Sequence, residues 1–306
     1  MRRFLTKLAV FTTLLLAIIA AGVMLPATPR AAGSMLFAVL GKEQRLRQTK
    51  PPRIIFVGGS NLSFGLDSEA IEKAVGLTVI NTGLHAGLGL RYMLESVIPF
   101  VGSGDVVVLA VEYSLFYQNF DYASEDLLRV VFDVSPRHAT YLSPRQLVKL
   151  MPFVPRYAFT KFHPWEYLWY SENDVHSKDS FNEHGDAVSH WQMDRRHFMP
   201  YGAISGEYNP EVLESILRAR EEIERRGGVL LVTYPCLQDA SFDVSAAQIK
   251  KVADEYRSHG LQVLGTPERY RMPDELTFDT PYHLQKAGVD LRTRRFIEDY
   301  SRFGSQ

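Results

Sequence analysis

The sequence predicts a doubly wound α/β domain, and three observations predict it. Short apolar runs recur as "RIIFVG" (53–58), "LTVIN" (77–81), "DVVVLAVEY" (105–113), "VLLVTYP" (229–235) and "LQVLG" (261–265). The runs are continuous rather than alternating, as in strands covered on both faces of a parallel sheet. Amphipathic, helix-periodic segments separate them, which suits right-handed crossovers between parallel strands. The expected result is a mostly parallel five-stranded sheet between two helical layers, a flavodoxin-like sandwich with ligands at the C-terminal ends of its strands.

The elements follow in order. Before the first strand, "SMLFAVLGKEQRLRQ" reads as a short helix in a tether that ends at Pro51-Pro52. "DSEAIEKAVG" is a helix with Asp67 or Ser68 near its N-cap and Gly76 near its end. "GLRYMLESVIPFV" is the next helix. "NPEVLESILRAREEIERRGG" opens on an N-cap Asn209, stops at Gly-Gly, and carries i,i+4 charge pairs on a solvated face. "SAAQIKKVADEYRSHG" and "KAGVDLRTRRFIEDYSRF" complete the set. Between Ser114 and Pro210 the alternation lapses. That stretch holds Trp165, Trp169, Tyr170 and His163, His176, His184, His190 and His197, too much aromatic content for a disordered segment. It reads as a partly helical insertion packed over the sheet's edge or over the site, its aromatics stacking on sugars or filling core. Asp186 stands among its histidines, but the stretch has neither H-E-x-x-H nor tight Cys/His spacing, so no metal is expected.

Bulk properties narrow the function classes. The 306 residues suffice for one large domain or two small ones, and 46% hydrophobic with 23% charged residues is ordinary for a globular chain. A formal net charge of -1 gives no basic footprint for nucleic acid. The single Cys236 excludes an internal disulfide framework. At the N-terminus, Arg2, Arg3 and Lys7 precede an uncharged run from Leu8 to Leu25. That run is about the minimum to span a bilayer, and the basic flank predicts an N-terminus on the cytoplasmic side. We read residues 1–30 as an uncleaved signal anchor, with a cleaved signal peptide and a secreted product as the competing reading. Residues 31–52 are a tether, and 53–306 form the α/β domain, with the insertion over about 114–210.

The strand ends carry the candidate chemistry. Gly58-Gly59-Ser60-Asn61 follows the first strand. Asn81, Gly83, His85 and Gly87 follow the second, and Glu112 and Tyr113 the third. "FDTPYHLQKAG" before the last helix supplies Asp279 and His283. A serine hydroxyl becomes a nucleophile when a histidine takes its proton, and a carboxylate orients that histidine. Glycines let backbone N–H groups converge on an oxyanion. The Gly-rich "NTGLHAGLG" fits neither G-x-x-x-x-G-K-[ST] nor G-x-G-x-x-G, and "GGSNL" has Leu62 where G-x-S-x-G has its second glycine.

These blocks resemble the SGNH (GDSL-type) hydrolases over roughly residues 53–113 and 211–300. "GGSN…NTGLHAGLG…VEY…DTPYHL" is similar to a group of membrane-anchored bacterial SGNH-like proteins, relatives of which take part in acylating cell-envelope polysaccharides. The resemblance implies a serine esterase or O-acyltransferase with no cofactor. Its substrate would be a small acyl ester or polysaccharide, with a membrane acyltransferase as a further partner. It implies a single-pass protein of the inner membrane with a periplasmic domain. It makes Ser60 the nucleophile and one oxyanion donor, His283 the base, Asp279 its orienting partner, and Gly83 or Gly87 the second donor. The chain departs from the family in three places. Gly59 stands for its Asp. Glu112 stands near its third-block Asn, for which Asn61 or Asn81 would substitute. Asp279 and His283 are four apart rather than three. The alternative is a noncatalytic envelope protein that binds glycan or a membrane partner on the same scaffold.

Overall fold

A computed structural model describes residues 1–168 and 174–304; Trp169 and Tyr170 lie outside the described residues. The strands are β1 (Arg53–Gly58), β2 (Thr78–Asn81), β3 (Val106–Ala110), β4 (Val229–Thr233), β5 (Leu237–Gln238), β6 (Gln262–Leu264) and β7 (Arg271–Met272). Five of them form one parallel sheet in the order β2-β1-β3-β4-β6, the doubly wound arrangement the sequence predicts. The short β5 and β7 pair separately, an addition that the two-residue strands were too brief to announce.

The helices used below are α1 (Arg2–Met24), α2 (Ala38–Gln48), α3 (Ser60–Ser63), α4 (Ser68–Val75), α5 (Leu90–Glu95), α6 (Val154–Thr160), α7 (Pro210–Arg225), α8 (Ala246–Ser258) and α9 (Lys286–Gly304). Their limits follow local chemistry. The Asp67 side chain accepts from Ala70 N–H at 3.0 Å to start α4, and Gly76 ends it at φ 76°, where a side chain would be strained. Asn209 caps α7 ahead of Pro210, whose missing N–H costs nothing in a first turn.

Alternation along the strands sends side chains to two cores. Ile55, Val57, Ile80, Val107 and Leu109 face α5, α7 and α8 through Met93, Ile216, Ile223 and Ile249. Ile54, Phe56, Val79, Val108 and Leu231 face α4 and α9 through Ile71 and Phe296. The third apolar run was expected to continue to Tyr113, but β3 stops at Ala110. Its partner β1 ends at Gly58, opposite Ala110, so Val111 onward has no backbone ladder to join. Glu112 and Tyr113 are thereby released into a loop and a 3₁₀ turn.

The start of β1 is held by a buried ion pair. Arg53 Nη2 donates to Asp105 Oδ2 at 2.7 Å, and Nε and the backbone N–H of Arg53 donate to Asp105 Oδ1. The remaining guanidinium donors reach the carbonyls of Leu46, Thr49 and Phe100, each at 2.7 Å, so the charge ties tether, β1 and β3 together. α1 is long and apolar enough to cross a membrane, and nearly all of it is exposed; its buried residue is Gly22.

Asp105→Ala leaves the Arg53 charge buried without its partner, and by chemical denaturation should cost about 3–5 kcal/mol. Arg53→Met combined with Asp105→Leu removes both charges and should recover most of that loss; an unchanged midpoint in Asp105→Ala would show the pair to be dispensable.

Candidate active site

The turn after β1 is built by close packing. A Cβ at Gly58 would strike the Ala110 carbonyl and lie 2.8 Å from Leu62 Cδ1, so only glycine lets the strand bend directly into α3. Ser60 is the first residue of α3 and is half-buried, with no hydrogen bond to its hydroxyl among the described residues. Asn61 behind it is fully buried and pinned. Its Nδ2 donates to Ala110 O at 3.0 Å, and its Oδ1 accepts from Arg292 Nη2 at 2.8 Å. Arg292 Nη1 also donates to the Asn61 carbonyl. Arg292 comes from α9 and is 1% exposed, so the last helix clamps the turn that carries Ser60.

The loop before α9 folds back onto the same turn. Phe278 N–H donates to His283 O at 2.8 Å, and Leu284 N–H donates to Phe64 O at 3.1 Å. Phe64 in turn donates its N–H to Ser60 O at 2.9 Å. The His283 ring stacks on Phe64, 4.1 Å between centroids and 12° from parallel. His283 thus stacks on the ring four residues beyond Ser60, although Ser60 and His283 are far apart in sequence. Its Nδ1 lies 2.7 Å from Asp279 Oδ1. The second carboxylate oxygen, Asp279 Oδ2, lies 3.0 Å from His176 Nε2.

This double grip sets the electrostatics. Burial alone would raise the Asp279 carboxyl, but hydrogen bonds from His176 and His283 outweigh it and hold the group below the usual carboxylate range. Burial lowers His283, and the Asp279 carboxylate beside it opposes that shift without cancelling it. The neutral imidazole, Nδ1–H donated to Asp279, leaves Nε2 as the basic nitrogen.

Several predicted site residues have other employment. Asn81 is buried, its Nδ2 donating to Leu62 O at 3.0 Å and Asp186 Oδ1 at 2.8 Å. Both N–H bonds of the Asn81 amide are thereby used, whereas the buried Asn61 Nδ2 donates once, to Ala110 O. The Gly83 N–H, expected as an oxyanion donor, already donates to Asn81 Oδ1 at 3.0 Å. The Gly87 N–H likewise donates to His85 Nδ1 at 3.1 Å. Tyr113 is 1% exposed and faces the core beneath α7 and α8, because β3 ends before it. Glu112 does reach the turn: its Oε1 accepts the Asn61 N–H at 3.2 Å, and its Oε2 is buried with no hydrogen-bond partner among the described residues. A Cβ at Gly59 would lie 2.7 Å from Glu112 Oε2. Gly59 and Glu112 therefore belong together, since a side chain at 59 would collide with the carboxylate at 112.

The insertion contributes what the sequence did not reveal. His176, His190 and His283 surround Phe64, with ring centroids 5.3, 5.1 and 4.1 Å away. His190 Nε2 lies 2.9 Å from Leu284 O, and burial pushes its imidazole down to about 4. Asp186 accepts from Ser68 N–H and Oγ, each at 2.7 Å. Lys42 of α2 donates to Asn81 O at 2.9 Å and Gly185 O at 2.5 Å, and burial pushes its amine down to about 7 against the pull of Asp186. His184 turns away to Arg45, 3.2 Å from its Nη2. His176 and His85 line a cavity of about 440 Å³ shared with Arg30, Arg129 and Arg156. The histidines of the insertion follow no helix or strand period, so no sequence signal joined His176 to Asp279.

Because the folded His283 titrates below its unfolded value, the unfolded chain takes up this proton first as pH falls below about 6.5. The neutral ring's contribution to stability is complete above that pH and declines below it. In an NMR titration His283 should therefore titrate below the ordinary histidine value. Asp279→Asn removes the opposing charge and should lower it further. A rise in that variant would overturn the assignment of Asp279 as its electrostatic partner.

No known family profile matches the chain, and no curated protein does. The solved structures similar to it at low identity include two bacterial proteins. One is the protein YxiM from Bacillus subtilis, 12% identical with a TM-score of 0.34, the match covering 83% of this chain and 57% of that one. The other is an acetyl xylan esterase from the rumen bacterium Butyrivibrio proteoclasticus, 10% identical with a TM-score of 0.32, covering 84% and 66%. The chain thus spans less than two thirds of the length of either protein.

Proposed function

We propose that the chain is a serine esterase or O-acyltransferase, held at a bacterial inner membrane by α1, that acts on an acyl ester of a cell-envelope carbohydrate. The observation that carries this reading is the Asp279–His283 pair, with His283 stacked on Phe64 four residues beyond Ser60, whose hydroxyl makes no hydrogen bond to His283 or to any other group among the described residues. In the reaction, His283 Nε2 takes the Ser60 proton as Oγ attacks the acyl carbonyl. The carbonyl π pair moves to oxygen, and the Ser60 N–H supports that charge. Collapse expels the alkoxide, to which His283 returns the proton, leaving an acyl-serine. Water or a sugar hydroxyl then attacks the acyl-serine with His283 again as base. The two-histidine hold on Asp279 keeps the His283 ring in the orientation this sequence of proton transfers needs. The carbohydrate and acyl-transfer parts of the reading, a membrane acyltransferase partner and the periplasmic position of the domain rest on the resemblance of the strand-end blocks.

A second reading has its own support. Glu112 places an unpaired carboxylate oxygen beside the nucleophile turn, where it would repel a developing oxyanion, and the Gly83 and Gly87 amides are occupied. Those features favour a noncatalytic scaffold that binds glycan or a membrane partner.

The two readings separate with a fluorophosphonate probe and a small aryl acetate, applied to the full chain in detergent. The catalytic reading expects labelling and turnover, and Ser60→Ala to cut turnover toward the ~10⁶-fold loss typical of removing a serine nucleophile. It also expects Glu112→Gln to raise turnover by removing the opposing charge. Absence of labelling in both the parent and Glu112→Gln, with native near-ultraviolet dichroism, would establish the binding scaffold instead.

A further inference from the structure

The insertion exposes an unusual amount of apolar surface in one short stretch. Val148 is 70% exposed and Met151 62%, and Leu147, Phe159, Phe162 and Trp165 are also open to solvent. Large hydrophobics this dense on a surface mark a contact site. They cluster in residues 147–165, which include all of α6 and the turns on either side of it.

The fold places that stretch against the end of α1. Gly22 packs on Ala158 of α6 so closely that a Cβ at 22 would come 2.8 Å from Ala158 Cβ, a small-residue crossing. The chain leaving α1 is then tied to the same region. Lys161 Nζ donates to Pro26 O at 3.0 Å, and Thr28 Oγ1 donates to Glu166 Oε2 at 2.7 Å. At 1.5 Å per residue the apolar run from Leu8 to Leu25 is about 27 Å long, close to the hydrocarbon thickness of a bilayer. Gly22 is less than one turn from its end. A membrane that holds α1 therefore has its surface at the level of α6.

We infer that residues 147–165 form a second, monotopic contact with the outer leaflet, seating the insertion in the bilayer interface beside the anchor. The composition suits that position. Trp165 and Tyr167 are the amphipathic aromatics favoured at the interface, and Arg145, Lys149 and Arg156 stand among the apolar residues where anionic headgroups would lie. The Arg156 side chain is 80% exposed, its Nε lying 3.3 Å from Glu125 Oε2. The contact rests on α1 spanning the membrane. It adds to that anchor a fixed orientation: the cavity lined by His176, Arg30 and Arg156 then opens near the lipid surface.

The test is depth-dependent quenching on the full chain in phosphatidylcholine/phosphatidylglycerol liposomes. A nitrobenzoxadiazole label is placed singly through Val10→Cys, Val148→Cys, Met151→Cys, Phe162→Cys and, as a distant exposed control, Val244→Cys. The unsubstituted chain, whose Cys236 is buried, is the labelling blank. Labels at 10, 148, 151 and 162 should be blue-shifted and lose fluorescence to spin-labelled lipid, while 244 stays aqueous. Quenching at 10 with aqueous labels at 148, 151 and 162 would overturn the interfacial contact and leave the anchor standing. A blue shift at those sites without lipid quenching would also overturn it, because a second protein copy would then cover the patch. No quenching at 10 would remove the anchor and the contact with it.

Discussion

The guanidinium of Arg292 is the constraint on which the candidate site depends. It is buried, comes from the last helix, and spends its donors on the carbonyl and side chain of Asn61, 231 residues earlier. A buried charge cannot be left unsatisfied without a large penalty, so α9 and the turn after β1 are forced to meet. Among the described residues no carboxylate lies within ion-pair reach of it; its donors go to the Asn61 carbonyl and side-chain oxygen and to Cys236 Sγ instead. Arg292 holds the carbonyl of Asn61, and Glu112 receives the N–H of the same residue. The space for both is made by glycines. A Cβ at Gly65 would meet the Arg292 guanidinium, and one at Gly59 would meet the Glu112 carboxylate.

Once α9 is fixed on the turn, the loop that precedes it has little freedom. Leu284 bonds to Phe64, His283 stacks on the same ring, and Asp279 is drawn to His283. The insertion closes the arrangement from the other side through His176 and His190. A carboxylate held by two histidines is a more rigid orienting group than one held by a single ring, because each oxygen has its own partner. The same rigidity accounts for the depressed Asp279 titration, in which two hydrogen bonds overcome the cost of burial.

The insertion links this site to the end of α1. His176 reaches Asp279 from one side and lines the Arg-bearing cavity on the other, and that cavity is shared with Arg30 at the exit of α1. Lys42, on the tether helix, donates into the backbone where β2 meets the insertion. Tether, insertion and sheet edge are thus one packed unit around the strand ends, and the region that breaks the β–α alternation is also the region that gives the site its surroundings.

The sheet was legible in the sequence because its signal is local. Continuous apolar runs such as Ile54–Val57 and capped periodic helices such as Ser68–Val75 follow from strand burial and helix-end hydrogen bonding. The pairing of Asp279 with His283 was legible for the same reason, since four residues on one loop keep them close. The partners were not. Whether Asn61 and Asn81 offered their amides to a substrate or to Ala110 and Leu62, and whether Gly83 and Gly87 kept free N–H groups, was decided by atoms far away in the chain. The sequence alone therefore determined the fold class, the apolar N-terminal helix and the candidate Ser, Asp and His. Only the tertiary structure decided that His176 grips Asp279, that Gly59 and Glu112 share one space, and that Arg292 joins the two ends of the chain. Hydrogen bonds and steric exclusion between distant residues leave no periodic trace in the sequence that encodes them.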